Sequence, residues 1–226
     1  IKTIKTFLNH AKETGLDTST NYHKYSIELK RTEPVTLTGT ELDTLFNMEL
    51  DPMLDKVRDV FVFACATGLR LSDLRQLKRE HIKGDTITLT TEKTDEQISI
   101  PINYYSSAIL DKYRLQMRPI PRLSEQHLNT EVKNLCKLAG IDTPTEQHAY
   151  RGATRETKVV PKYRAISMHS ARRTFVSLAL ANGLDAETVR RWTGHKDLRA
   201  FGVYINIEKQ RLRSEMEKAF GKPDAG

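Results

Sequence analysis

Residues 168–204 read MHSARRTFVSLALANGLDAETVRRWTGHKDLRAFGVY, and the fold of the chain turns on how this stretch bends back on itself. At about 3.6 residues per turn, His169, Arg172 and Arg173 share one face of a helix, while Ala171, Phe175 and Leu178 share roughly the opposite one. The apolar face buries, which leaves a cationic face presented to something anionic. Gly183 stops this helix. Asp185 then caps a second one, in which Val189 and Trp192 sit three apart and pack together. Gly194 ends the second helix, so His195 lies on a bend that points back at the first face. Tyr204 follows nine positions after His195, on a short segment of its own. Two imidazoles, a guanidinium and a phenol thus converge without a carboxylate among them. That set suits a phosphodiester far better than a metal ion, which wants Asp, Glu or Cys beside the histidines.

Working upstream, residues 66–77 read ATGLRLSDLRQL. Gly68 breaks a helix, and Ser72 or Asp73 is expected to begin a short new one. Arg70 therefore sits at a helix-to-helix joint, among Leu69, Leu71, Leu74 and Leu77. On the residues alone, its stem packs while its head reaches water or pairs with Asp73. Residues 86–92 and 97–102 alternate and are β-branched, so they predict a hairpin with Lys93-Thr-Asp-Glu as its turn. A lysine in such a turn reads first as a solvated charge.

These motifs resemble those of the tyrosine recombinases, or phage-type integrases. Thr67-Gly-Leu-Arg70-Leu-Ser-Asp73-Leu is similar to the first signature box of that family. His169-x-x-Arg172-Arg-Thr-Phe, the Asn182-Gly183 turn, Thr193-Gly-His195 and Tyr204 are similar to the second. The resemblance spans about residues 34–220 and implies the family's catalytic-domain fold and DNA strand exchange. It implies that Arg70 and Arg172 clamp the non-bridging phosphate oxygens and that His195 adds a donor. Tyr204 attacks phosphorus to leave a 3′-phosphotyrosyl link, and His169 takes or returns a proton. It further implies a catalytic lysine eight residues before the proline that closes the second strand, which is Lys93 before Pro101; spacing leaves Lys83 and Lys78 open. No metal and no cofactor is needed. The implied partners are double-stranded DNA and three further copies in a tetramer on DNA, with the isolated chain a monomer and no membrane involved. Pro161-Lys-Tyr leading into Ile166-Ser-Met-His169 is similar to integrases of mobile elements in Bacteroidetes, which implies a bacterial, cytoplasmic, nucleoid-associated protein.

Composition is consistent with this. The 226 residues are 38% hydrophobic, enough for one good-sized core, and the net charge of +7 fits a polyanionic partner. Cys65 and Cys136 lie in apolar helical contexts and read as buried free thiols, which points to a reducing compartment. No apolar run approaches the ~18 residues of a membrane span, and no signal peptide is visible. The expected fold class is mainly α with a small antiparallel sheet. Residues 1–15 form an amphipathic helix (Ile4, Phe7, Leu8, Ala11), read as the last helix of an upstream domain; residues 16–37 form a linker. The catalytic domain is expected over 38–220, with residues 221–226 a disordered tail.

Within that domain Thr38-Gly-Thr-Glu41 is a capping box, and Pro52 opens a helix to about Ala66. Further helices are expected near 103–117, 124–139 and 206–220, the last closing its own core or docking on a neighbour. A second hairpin is expected near 146–151 and 156–160. Its basic residues Arg151, Arg155 and Lys158, with Lys162 and Arg164 beyond and Arg173 on the His169 helix, form a candidate phosphate-facing rim. Three rival readings stand beside the recombinase. A non-catalytic helix-turn-helix over 170–193, with Arg190 and Arg191 on its second helix, explains the charge but not Arg70, Lys93 or Tyr204. A type IB topoisomerase shares the chemistry, yet the compact Arg70 box and the His195-to-Tyr204 spacing favour a recombinase. An inactive derivative would have lost side chains that are all present here.

Overall fold

The structure, a computed structural model, describes residues 2–16, 20–25, 34–151 and 154–195. The chain divides into two compact units, one of Ile1–Thr32 with His148–Thr157 and the other of Glu33–Gln147 with Lys158–Gly226. In the first unit the expected amphipathic helix is α1 (Lys2–Glu13), ended by Gly15 at φ 87°. Ile4 and Phe7 on its apolar stripe are largely exposed. A 3-10 turn over Thr20–Lys24 folds back on α1: the Tyr22 hydroxyl donates to Asn9 Oδ1 at 2.8 Å, and Lys5 Nζ donates to the His23 carbonyl at 3.0 Å. Residues 17–19 and 26–33 of the expected linker, and the tail over 206–226, lie outside the described residues.

The second unit is built around one helix. It runs α2 (Gly39–Asn47), α3 (Pro52–Thr67), α4 (Leu71–Gln76), β1 (Ile82–Lys83), β2 (Thr86–Thr90), β3 (Gln97–Pro101), α5 (Tyr104–Lys112) and α6 (Glu125–Leu138). After strands β4 (Pro144–Arg151) and β5 (Thr154–Pro161), whose residues 148–157 belong to the first unit, it continues with α7 (Lys162–Ala165), α8 (Met168–Ala181) and α9 (Ala186–Thr193). Asp51 starts α3 by accepting from the Met53 and Leu54 amides at 2.9 and 3.1 Å, and Pro52 fills the first turn where no amide is needed. From Val57 to Thr67 every residue of α3 is buried, so the helix is the central post, with α2, α5, α6 and α8 against it.

Two charges lie inside that buried run, and both are paired. Arg58 donates to Asp59 Oδ1 at 2.7 Å and to the carbonyls of Phe46 and Met48 at 2.7 and 3.0 Å. Asp59 Oδ2 in turn accepts from Lys112 Nζ and the Tyr113 hydroxyl at 2.6 and 2.7 Å. The network fastens the end of α2 and the end of α5 to α3, and leaving either charge alone there would be costly.

The sheet β1-β2-β3 is antiparallel, with Ile87 opposite Ile100 and Leu89 opposite Ile98; these four side chains are buried, and Thr88 and Ser99 face outward. β1 was not expected, since two residues are too few to show alternation. β4 and β5 form the expected second hairpin, longer than the sequence pattern indicates. Two boundaries also differ. α4 starts at Leu71, with Arg70 itself as the N-cap residue, rather than at Ser72 or Asp73. The packed unit also begins before residue 38: Leu37 is buried, and its amide donates to Thr174 Oγ1 on α8 at 2.9 Å. Both cysteines are buried and free.

Gly68 ends α3 at φ 67°, a region that side chains other than glycine resist, and a Cβ there would lie 2.4 Å from Phe175 Cδ1. Strain and overlap therefore add. Gly68→Ala is expected to destabilise the protein by at least ~1–3 kcal/mol in urea denaturation. A loss below ~0.5 kcal/mol would show that α3 and α8 can part without cost.

Candidate active site

Three helix ends meet at the site. Arg70 stands at the start of α4, immediately after the Gly68 turn. Arg172 projects from the second turn of α8, and His195 follows the C-terminal turn of α9. The sequence periodicity predicts that Arg172 is offered outward with His169 and Arg173. Instead Arg172 is 5% exposed and turned into the protein. Its Nη1 donates to the Gly68 carbonyl at 2.8 Å; its Nη2 donates to the Thr193 carbonyl and lies 3.0 and 3.2 Å from the His195 ring nitrogens. Arg70 Nη2 donates to the Gly194 carbonyl at 3.3 Å. Gly68, Thr193 and Gly194 belong to the C-terminal ends of α3 and α9, whose last carbonyls have no partner within their own helices and carry the negative end of the helix dipole. Two guanidiniums therefore bind the ends of two helices together.

Asp73, fully buried on α4, joins the Lys93 turn to this cluster. Its Oδ2 is 3.9 Å from Arg70 Nη1, and its Oδ1 accepts the Glu92 amide at 3.0 Å. The turn holds itself by the Thr91 amide donating to the Glu96 carbonyl at 2.9 Å and by the Thr91 and Thr94 hydroxyls 2.6 Å apart. Arg70 Nη1 is shielded from solvent and has no hydrogen-bond partner among the described residues. An anionic oxygen arriving there would satisfy it. The sequence offers Asp73 as a helix start or as a partner for Arg70; its tie to the Glu92 amide joins residues distant in the chain and leaves no local signal.

His169 and Lys93 are exposed at the edge of this cluster. Partial burial, then Arg173, Arg172, Arg70 and Lys93 in that order, hold the His169 imidazole below its ordinary value. These four cations therefore all lie within electrostatic reach of the His169 ring. Lys93 is among them, whereas Lys78 is 3.3 Å from Glu80 and Lys83 is simply exposed. Among the described residues no three His, Cys, Asp or Glu side chains gather to hold a metal ion. The assembled groups are mostly donors and fit an anion.

The expected basic rim divides. Lys158 and Arg164 are exposed, and Arg164 lies 6.0 Å from the Tyr163 ring. Lys162 Nζ is 2.6 Å from Glu41 and its side chain is only 13% exposed, so its charge is already engaged. Arg151 and Arg155 occupy β4 and β5. Tyr204 lies outside the described residues. The helix-turn-helix reading loses one of its recognition arginines: Arg190 makes two bonds to Glu187, at 2.8 and 2.7 Å, and donates to the His195 carbonyl at 2.8 Å.

The chain also matches known proteins in sequence and fold. The family model described as "Phage integrase family" matches residues 36–211. The tyrosine recombinase XerD of Lacticaseibacillus casei is 25% identical over 182 residues, covering 79% of this chain and 60% of that protein. XerD of Listeria monocytogenes serotype 4b is 28% identical over 167 residues, covering 66% and 49%. The chain thus spans about half the length of the curated relatives it matches. Among solved structures, a lambda integrase (75–356) dimer bound to a COC' core site has a TM-score of 0.65 at 18% identity, covering 90% of this chain and 70% of that one. XerA recombinase has a TM-score of 0.58 at 19% identity, covering 97% and 74%. Both share the mainly helical fold with small antiparallel sheets.

The crowding of cations about His169 has a measurable sign. In an NMR titration His169 is expected to titrate below about 6.5, because burial and four neighbouring positive charges disfavour the imidazolium. Removing one of them in Arg173→Ala should raise the midpoint. A midpoint at or above the ordinary value, unmoved by that change, would mean the cations do not face the ring.

Proposed function

This chain belongs to the phage integrase family, and from that premise we propose that it carries the catalytic domain of a site-specific DNA recombinase. The observation that carries the reading is the meeting of Arg70, Arg172 and His195 at the ends of α3 and α9, with His169 and Lys93 at the edge. A phosphodiester in transfer gathers charge on its non-bridging oxygens, and preorganised donors at that point lower the barrier most. Arg70 and Arg172 supply paired N–H groups to those oxygens, and His195 adds to them. Tyr204 Oη attacks phosphorus as the bond to the 5′-oxygen breaks, giving a 3′-phosphotyrosyl link. The phenol proton passes to His169, which is held neutral and able to accept it. Lys93 gives a proton to the departing 5′-oxygen. The reverse sequence rejoins the strand, so the bond energy is kept and neither ATP nor metal is consumed.

The substrate in this reading is double-stranded DNA, and the working assembly is a tetramer of the whole protein on two duplexes, in the bacterial cytoplasm and on the nucleoid. Arg173, Lys158 and Arg164 contact phosphates flanking the cut; Lys162 serves Glu41 instead. α1 is the last helix of a domain upstream. Pro161-Lys-Tyr before Ile166-Ser-Met-His169 favours integration or excision of a mobile element of the Bacteroidetes kind, while the relatives compared above are Xer recombinases.

Incubation with a nicked duplex that traps the covalent product tests the reading. Wild type is expected to form a protein–DNA adduct, and Tyr204→Phe to form none while folding normally. An adduct with the Phe variant assigns the attack to another tyrosine. No adduct from wild type would favour a binding module. Lys93→Ala is expected to slow cleavage by about 10²-fold or more on ordinary DNA, but not on DNA whose bridging 5′-oxygen is sulfur, since a thiolate leaves without a proton. Equal loss on both substrates would mean that Lys93 only positions the DNA.

A further inference from the structure

Thr91 is the buried residue of the turn that carries Lys93. It is 1% exposed, while Glu92, Lys93 and Asp95 are exposed and Thr94 and Glu96 half-buried. Its backbone closes the turn twice: the Thr91 amide donates to the Glu96 carbonyl at 2.9 Å, and the Thr91 carbonyl accepts from the Asp95 amide at 3.0 Å. Asp95 reaches that position at φ 54°, in the left-handed region that aspartate tolerates better than most residues. The Thr91 hydroxyl fills the turn from within. It lies 2.6 Å from Thr94 Oγ1, 3.2 Å from the Glu96 carbonyl oxygen and 3.3 Å from the Glu96 amide nitrogen. One proton and two lone pairs suffice for all three. The methyl branch has a different neighbour. A Cβ on Gly194 would lie 3.4 Å from Thr91 Cγ2, so the methyl sits beside the end of α9, where the Gly194 carbonyl accepts from Arg70.

We infer that Thr91 is the positioning residue for Lys93. Its hydroxyl gives the turn a single shape, and its methyl seats that turn beside Gly194. Lys93 is then flanked by fixed neighbours: the Glu92 amide is held by buried Asp73, and the Thr94 hydroxyl by Thr91. A lysine has a long flexible stem, so its ammonium is delivered to one place only if its root is fixed. Fixing the root before DNA arrives removes a reorganisation that would otherwise fall on the chemical step. The shape of the turn stands on these contacts alone. Its consequence for catalysis rests on the reading of Lys93 as the proton donor to the 5′-oxygen.

Two variants separate the hydroxyl from the rest of the side chain. Thr91→Val keeps the β-branch and the methyl and removes the hydroxyl, whereas Thr91→Ser keeps the hydroxyl. In protein without DNA, amide hydrogen exchange at Asp95 and Glu96 is expected to be slow in wild type and Thr91→Ser, and about 10-fold faster in Thr91→Val. In the nicked-DNA assay, Thr91→Val is expected to form the adduct about 10-fold more slowly on ordinary DNA. It should match wild type on DNA whose bridging 5′-oxygen is sulfur, and should cost nothing further in a Lys93→Ala protein. Thr91→Ser should stay near wild type on both substrates. Unchanged exchange in Thr91→Val overturns the anchoring of the turn. Equal slowing on both substrates, a full further loss in the Lys93→Ala background, or no slowing on ordinary DNA overturns the action through Lys93. If wild type forms no adduct, the recombinase reading fails and the catalytic consequence with it, while hydrogen exchange still decides whether Thr91 fixes the turn.

Discussion

The site depends on carbonyls at the ends of two helices. A helix leaves its last carbonyls without internal partners, and in a buried setting each needs a donor. Here Arg172 bridges the last carbonyls of α3 and α9, and Arg70 supplies a further donor to the end of α9. Each guanidinium is thereby fixed in direction before any ligand arrives. Both helix ends require glycine in the left-handed region, Gly68 at φ 67° and Gly194 at φ 58°, because only that turn exposes the carbonyls while sending the chain away. The packing around them is close: a Cβ on Gly68 would run into Phe175, and one on Gly194 would press on Ile98 and Thr91. Phe175 belongs to α8, so the helix that carries Arg172 also sets how near α3 can come.

This arrangement concentrates positive charge. Arg70, Arg172, Arg173 and Lys93 all act on His169, and the carboxylate built into their midst is Asp73, fully buried beneath Arg70. Like charges at such range raise the energy of the unliganded protein, and helix-end dipoles offset only part of that. An anion seated among them would lower that repulsion as well as be attracted. Asp73 has a second task in the same geometry. By holding both Arg70 and the Glu92 amide, it connects the helix that starts at Leu71 to the turn that carries Lys93. Away from the site, Arg58 and Asp59 are joined to Lys112 and Tyr113, which lets α3 be buried on all sides without an unpaired charge.

The sequence determined the elements and the membership of the site. Capping residues (Thr38, Asp51, Asp185), the breakers Gly68, Gly183 and Gly194, and the 3.6 and 2.0 periodicities place nearly every helix and strand of the second unit, because those signals act over a few residues. The resemblance of the two motif boxes to the recombinase family is what points to Arg70, Arg172, His169 and His195; on the residues alone Arg70 reads equally as a packed stem with a solvated head. What the sequence did not determine is where those side chains point. Periodicity put Arg172 on an outward face, yet the carbonyls that draw it inward come from residues 68 and 193, distant in the chain. The engagement of Lys162 by Glu41 and the tie from Asp73 to Glu92 are of the same kind. A hydrogen bond is decided within about 3 Å, and only the tertiary structure brings such partners to that distance.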